Sequence, residues 1–118
     1  MALDGPPREP YRYSETDHFA ECFDDPMRYI TRGMVAEVIE CGRDHPDEGG
    51  PNKVRRKREY EGVDAVLVIA RDDPVLITGW TEVRDWVDAA ASERWSLEQL
   101  RTIRAFEDEE HKGHGTGP

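Results

Sequence analysis

Between Lys53 and Trp80 the chain has few ways to fold, because three extended segments follow one another with only short joints. The strands are expected at 54–60, 64–71 and 74–80, joined at Glu61-Gly62 and Asp72-Asp73, and joints this short suit hairpins. An antiparallel meander is the simplest arrangement of the three. The second and third segments are almost continuously apolar, which marks them as central or covered on both faces. The first alternates differently. Val54, Arg56, Arg58 and Tyr60 share one side, while Arg55, Lys57 and Glu59 share the other.

Helical signals flank this block. Ser14 with Asp17 suits a reciprocal cap for a first helix that carries Phe19, Cys22 and Phe23 and stops at Pro26. Thr31 caps a second helix over Arg32 to Cys41, striped by Met34, Val35, Val38 and Ile39 and ended by a left-handed Gly42. Residues 43–52 hold two prolines and two glycines and read as a surface loop. After the strands, Thr81 is a candidate cap for a helix bearing Val83, Trp86, Val87 and Ala90. Ser96 and Gln99 form a second capping box that Trp95 and Leu100 would staple, with Leu97, Leu100, Ile103 and Phe106 as the apolar side. The expectation is a single α+β domain over 14–106. It has two N-terminal helices, a three- to four-stranded antiparallel sheet and C-terminal helices, between a flexible lead-in at 1–13 and a disordered tail at 107–118.

A chain of 118 residues supports one modest core. Its 26 acidic residues against 16 basic ones give a formal net charge of −10, and the acid is dispersed rather than blocky. That style resembles proteins that stay hydrated in molar KCl, so the acidic total says little about partners. Five of the six residues from Lys53 to Arg58 are nevertheless basic. A rigid cationic stripe suggests an anionic ligand, with RNA or a phosphate group first in line. The plain alternative is an exposed strand balanced by Glu59, Glu61 and Asp64, since surface ion pairs are common and weak. No apolar run reaches the ~18 residues a membrane helix needs. No secretion signal is visible, so Cys22 and Cys41 read as reduced thiols in the cytoplasm.

Metal chemistry has one candidate. His18 and Cys22 lie four apart, as do Cys41 and His45, and together they offer the ligand types of a closed zinc site. Gly42 and Pro46 interrupt the second pair, and two buried thiols with two unrelated histidines explain the same letters. No cofactor is therefore expected. His111 and His114 fall in the tail and read as incidental. There is no glycine-rich phosphate loop, no Ser-His-Asp arrangement and no distinct carboxylate pair.

From His18 to Trp80 the order of motifs resembles the small toxin-type domains of the barnase, EndoU, colicin and RelE group. His18 is followed by Arg28-Tyr29-Ile30-Thr31 and Val35, then a loop, the basic strand, Val66-Leu67-Val68-Ile69 and Leu76-Ile77-Thr78. Cys22 stands where the pattern usually has arginine. The resemblance implies metal-independent cleavage of RNA through its 2′-hydroxyl on an open sheet, and an antitoxin or other protein partner. His18 would be the acid/base, its pKa lying nearest neutrality. Arg56 and Arg58 would clamp the phosphate, with Arg28 assisting and Thr78 bonding a phosphate oxygen. Lys53, Arg55 and Lys57 would add RNA contacts, and Tyr60 or Trp80 would stack a base. For His18 the plain reading is a hydrogen-bonded structural histidine, for Thr78 a strand residue, and for the tryptophans core anchors.

A second class of function is an interaction module without catalysis, dimeric through Trp86, Trp95, Leu97, Leu100 and Ile103. Exposure of Arg56 and Arg58 separates the two. Open and beside His18 they favour RNA; covered, they favour the module.

Overall fold

A computed structural model describes residues 6–24, 28–47, 49–71 and 74–115, with side chains as far as Glu107. The chain is α+β. Five strands form one mixed open sheet in the order β1-β5-β4-β3-β2. They are β1 Ser14–Glu15, β2 Arg43–Pro46, β3 Lys53–Tyr60, β4 Val63–Ala70 and β5 Val75–Val83. The meander of β3, β4 and β5 is the antiparallel one expected. Glu61 (φ 51°) and Gly62 (φ 93°) close its first hairpin, both left-handed, as a two-residue turn requires.

The two outer strands correct the expected sheet. Ser14 and Glu15 open no helix; they pair in parallel with Val75 and Leu76. The first helix, α1 Asp17–Glu21, starts instead at Thr16, whose hydroxyl accepts from the Phe19 amide. The expected loop at 43–52 contains β2, antiparallel to β3. Helix α2, Arg32–Cys41, is as expected, with Thr31 accepting from the Met34 amide. Its stop is different. Gly42 is extended (φ −74°), and glycine is needed there for closeness, since a Cβ would sit 2.5 Å from the Val38 carbonyl and 2.7 Å from Arg56 Cγ.

At the other end Thr81 remains inside β5, fully buried, and Asp85 caps α3 Trp86–Ala91. Ser96 and Gln99 do form the reciprocal box that starts α4 Leu97–Gly115. The helical backbone continues through the stretch from Glu107 to Gly115 that was expected to be a tail; residues 116–118, and the side chains of His111 and His114, lie outside those described. Among the described residues no helix is long and apolar enough to cross a membrane.

The sheet has a covered and an open face. Val54, Val63, Leu67, Ile69 and Leu76 point to the covered side, where Val38 and Ile39 of α2 meet Trp95, Leu100 and Ile103 from the C-terminal region. Roughly 25 cal/mol for each Å² of apolar surface removed from water makes this the main stabilising layer. On the opposite side, His18 of α1 and Phe106 and Glu107 of α4 border one end of the sheet. The side chains of this face come from alternate positions, Lys53, Arg55 and Lys57 on β3 and Thr78, Trp80 and Glu82 on β5, with Val66 and Val68 between them.

Candidate functional site

An open cleft of about 440 Å³ lies at one end of the open face, lined by His18, Lys53, Arg55, Thr78, Trp80 and Phe106, among others. Each residue arrives there for a local reason. His18 sits near the start of α1 on its solvent side, whereas Phe19 takes the buried side. Tyr29 adopts a left-handed φ of 49°, unusual for a residue with a Cβ, and this bend sends Arg28 to the cleft while Ile30 enters the core. The buried Thr81 hydroxyl holds the bend by donating to the Arg28 carbonyl.

The Arg28 guanidinium is the polar hub. Nη1 donates to the Thr78 hydroxyl (3.2 Å), the Gly79 carbonyl (2.9 Å) and Cys22 Sγ (3.4 Å), and the group lies 4.9 Å from the Phe106 ring centre. Across the cleft Arg55 stands over the Trp80 indole at 5.2 Å and pairs with Asp47 at 2.7 Å. Burial pushes the Asp47 carboxyl up, but the Arg55 bond and the Gly49 amide outweigh it and hold it below the usual range. Glu82 accepts from the Trp80 indole (3.0 Å) and pairs with Lys57 at 3.3 Å.

The expected site residues therefore divide. His18, Arg28, Thr78, Lys53, Arg55 and Trp80 all line this one cleft. Arg56, Arg58 and Tyr60 do not. Arg56 is fully buried on the covered side, where its donors go to Asp44 (2.6 and 3.2 Å) and to the carbonyls of Ile39, Pro7 and Pro6. It clamps the chain's own backbone, because the fork of donors that suits a phosphate suits converging carbonyls as well. Arg58 pairs with Glu37 at 3.1 Å and stacks on Tyr60, whose hydroxyl reaches the same Glu37. Burial and that hydrogen bond raise the Tyr60 pKa, and its ring belongs to the core. The clamp expected of Arg56 and Arg58 is not assembled beside His18: Arg56 is buried on the covered side, and Arg58 lines a different cleft. Two signals for this were present: Val54 and Tyr60 share their parity, and apolar neighbours on one side of a strand mark the covered side.

Lys57 lies on the open face but beside a second cleft, of about 610 Å³, with Arg43, His45, Asp64 and Arg84. The zinc candidates are also split. Cys22 is buried under Arg28 and Thr78, while Cys41 is exposed and lines the second cleft with His45. Among the described residues no group of three or more histidine, cysteine or carboxylate side chains is placed to hold a metal. In the C-terminal region, Trp95, Leu100 and Ile103 are buried in the chain's own core, and Val87 and Leu97 are left exposed.

Asp47, Val68, Ile77, Glu82, Phe106 and Glu107 also line the cleft and were not among the expected site residues. Phe106 and Glu107 come from the middle of α4, far from the basic strand in sequence, while Asp47 lies between β2 and β3. Comparison with protein-family models, curated proteins and solved structures gave no match.

Proposed function

We propose that the open sheet face binds RNA and that the cleft around His18 cleaves it without a metal, in the manner of the toxin-type domains this chain resembles. One observation carries the reading: an exposed histidine, two arginines and an aromatic platform meet in a single cleft on the sheet. The indole of Trp80, with Arg55 above it, is the type of surface on which a base stacks. In the reaction, the 2′-oxygen attacks the adjacent phosphorus as the bond to the 5′-oxygen breaks. His18 takes the 2′ proton and a proton is returned to the departing 5′-oxygen, leaving a 2′,3′-cyclic phosphate and a 5′-hydroxyl. Arg55 and Arg28 hold the negative charge that grows on the phosphoryl oxygens, with Thr78 kept in place by Arg28. The site would operate in the cytoplasm, where a protein partner would keep it silent.

A non-catalytic interaction module is the second reading. It is favoured by the burial of Arg56 and by the pairing of Arg55 with Asp47 and Lys57 with Glu82, which leaves the cleft close to neutral. One experiment separates them. RNA is incubated with the protein in molar KCl plus a chelator, and wild type is compared with His18→Ala, both shown folded by circular dichroism. The expected result is cleavage to cyclic-phosphate ends, slowed by about 10²-fold or more in the variant. Intact RNA with folded wild-type protein, or equal cleavage by both, would overturn the nuclease reading.

A further inference from the structure

The second cleft lies beyond the bridge between Lys57 and Glu82, at the end of the open face where Cys41 and Arg58 reach it from the covered side, and Glu82 lines both clefts. Seven lysines and arginines line the two clefts against five carboxylates. In the whole chain the ratio is 16 against 26. Cations therefore outnumber carboxylates around the two clefts, with Arg58 reaching the second from the covered side, while the rest of the chain is strongly acidic. Along β3 the side chains of Lys53, Arg55 and Lys57 are two residues apart, roughly 7 Å at each step. That spacing is comparable to the spacing of successive phosphates in an extended single strand. Arg43 sits opposite Lys57 in the register of β2 and continues the row towards the sheet edge. Among the described residues it makes no ion pair or hydrogen bond through its side chain.

We propose that the second cleft is a subsite for the phosphates of a single-stranded oligonucleotide that runs along β3 from the His18 cleft, with Arg43, Lys57 and Arg84 as its cationic wall. This rests on the RNA reading above and deepens it: the preferred ligand is a strand several nucleotides long, and a dinucleotide fills only the first cleft. Arg84 pairs loosely with Glu59 and Asp64, at 3.6 and 3.9 Å, so a phosphate can compete for it. The face reads backbone charge at this end and stacks a base only at Trp80.

The test uses fluorescein-labelled 2′-O-methyl uridine oligomers, which lack the nucleophilic hydroxyl and report binding alone. Anisotropy is measured with a hexamer and a dimer over a range of KCl, for wild type, Arg43→Ala and Arg101→Ala, the last an exposed arginine on α4 away from both clefts. Wild type should bind the hexamer more tightly than the dimer. Arg43→Ala should weaken the hexamer severalfold, lower the slope of log affinity against log salt by about 0.7, and leave the dimer unchanged. Arg101→Ala should match wild type. Hexamer binding that is unaltered by Arg43→Ala, or altered equally by Arg101→Ala, would overturn the second subsite while leaving the first cleft standing. No binding of either oligomer by folded wild type would overturn the RNA reading and the subsite together. A hexa-aspartate peptide that displaces the hexamer as well as unlabelled hexamer does would overturn it too, since it would point to an acidic protein segment as the ligand.

Discussion

Arg55 and Arg56 are neighbours in sequence and opposites in the fold. Arg56 has no exposed surface and spends its donors on Asp44 and three backbone carbonyls beneath α2. Arg55 faces the open cleft, where it covers Trp80 and pairs with a single carboxylate. A strand turns successive side chains to opposite sides, so one step along β3 separates a residue that builds the molecule from one placed to meet a ligand. Basic composition alone does not distinguish them.

The largest break in that comparison is expected from removing Arg56. Arg56→Ala leaves the carbonyls of Pro6, Pro7 and Ile39 and the Asp44 carboxylate without their donor. Losing one partner of a buried charged network costs about 3–5 kcal/mol. Urea titration should show that loss, and a change below 1 kcal/mol would mean the network adds little. Gly42→Ala attacks the same side from the helix end. Its Cβ would lie 2.5 Å from the Val38 carbonyl and 2.9 Å from the Lys57 carbonyl, both backbone atoms, so α2 and β3 must separate. A cost of about 1–3 kcal/mol is expected from such overpacking, read in the same titration.

Much of this division was readable beforehand, and the exceptions have physical causes. The pairing of Arg56 with Val54 and Tyr60 on one side of β3 follows from alternation alone, and it is correct in the register with β4. Which side faces solvent does not follow from charge, since arginine can be buried when carbonyls satisfy it. Helix α2 was legible because cap, stripe and stop agree locally, although Gly42 serves close packing and not a left-handed turn. Strands β1 and β2 were missed for the opposite reason. Ser14 and Glu15 carry no strand pattern and are extended only because β5 offers an edge sixty residues away. Phe106 reaches the cleft by the same kind of long-range placement, and no local signal marks it.

On the open side the expected effects are smaller, and their signs are informative. Arg55→Ala should cost at most about 1 kcal/mol, since the pair it breaks is partly solvated. It should also alter the response to acid. Asp47 has its pKa depressed in the fold, so it contributes stability above the ordinary carboxylate range that is lost as pH falls through the folded value. Without Arg55 that contribution shrinks, and wild type and variant should converge in melting temperature on acidification. A gap that stays constant with pH would show that the pair does not act through Asp47.

Asp64 has the opposite sign and the smallest effect. Burial pushes its carboxyl up, only partly opposed by Arg84 and Lys57 and reinforced by Glu82 and Glu59. The folded chain then holds this proton to higher pH than the unfolded chain does. Between the ordinary carboxylate range and the raised folded value, stability falls as pH rises, and above that window the full penalty for burying the charge remains. Asp64→Asn removes the charge and keeps the shape, so the variant should melt above wild type at neutral pH and equal it below the ordinary carboxylate range. A neutral-pH variant no more stable than wild type would mean that Arg84 and Lys57 compensate Asp64 fully. The open face would then have no penalty to relieve there, and its carboxylates would be matched to its cations as closely as Asp44 is to Arg56 on the covered side.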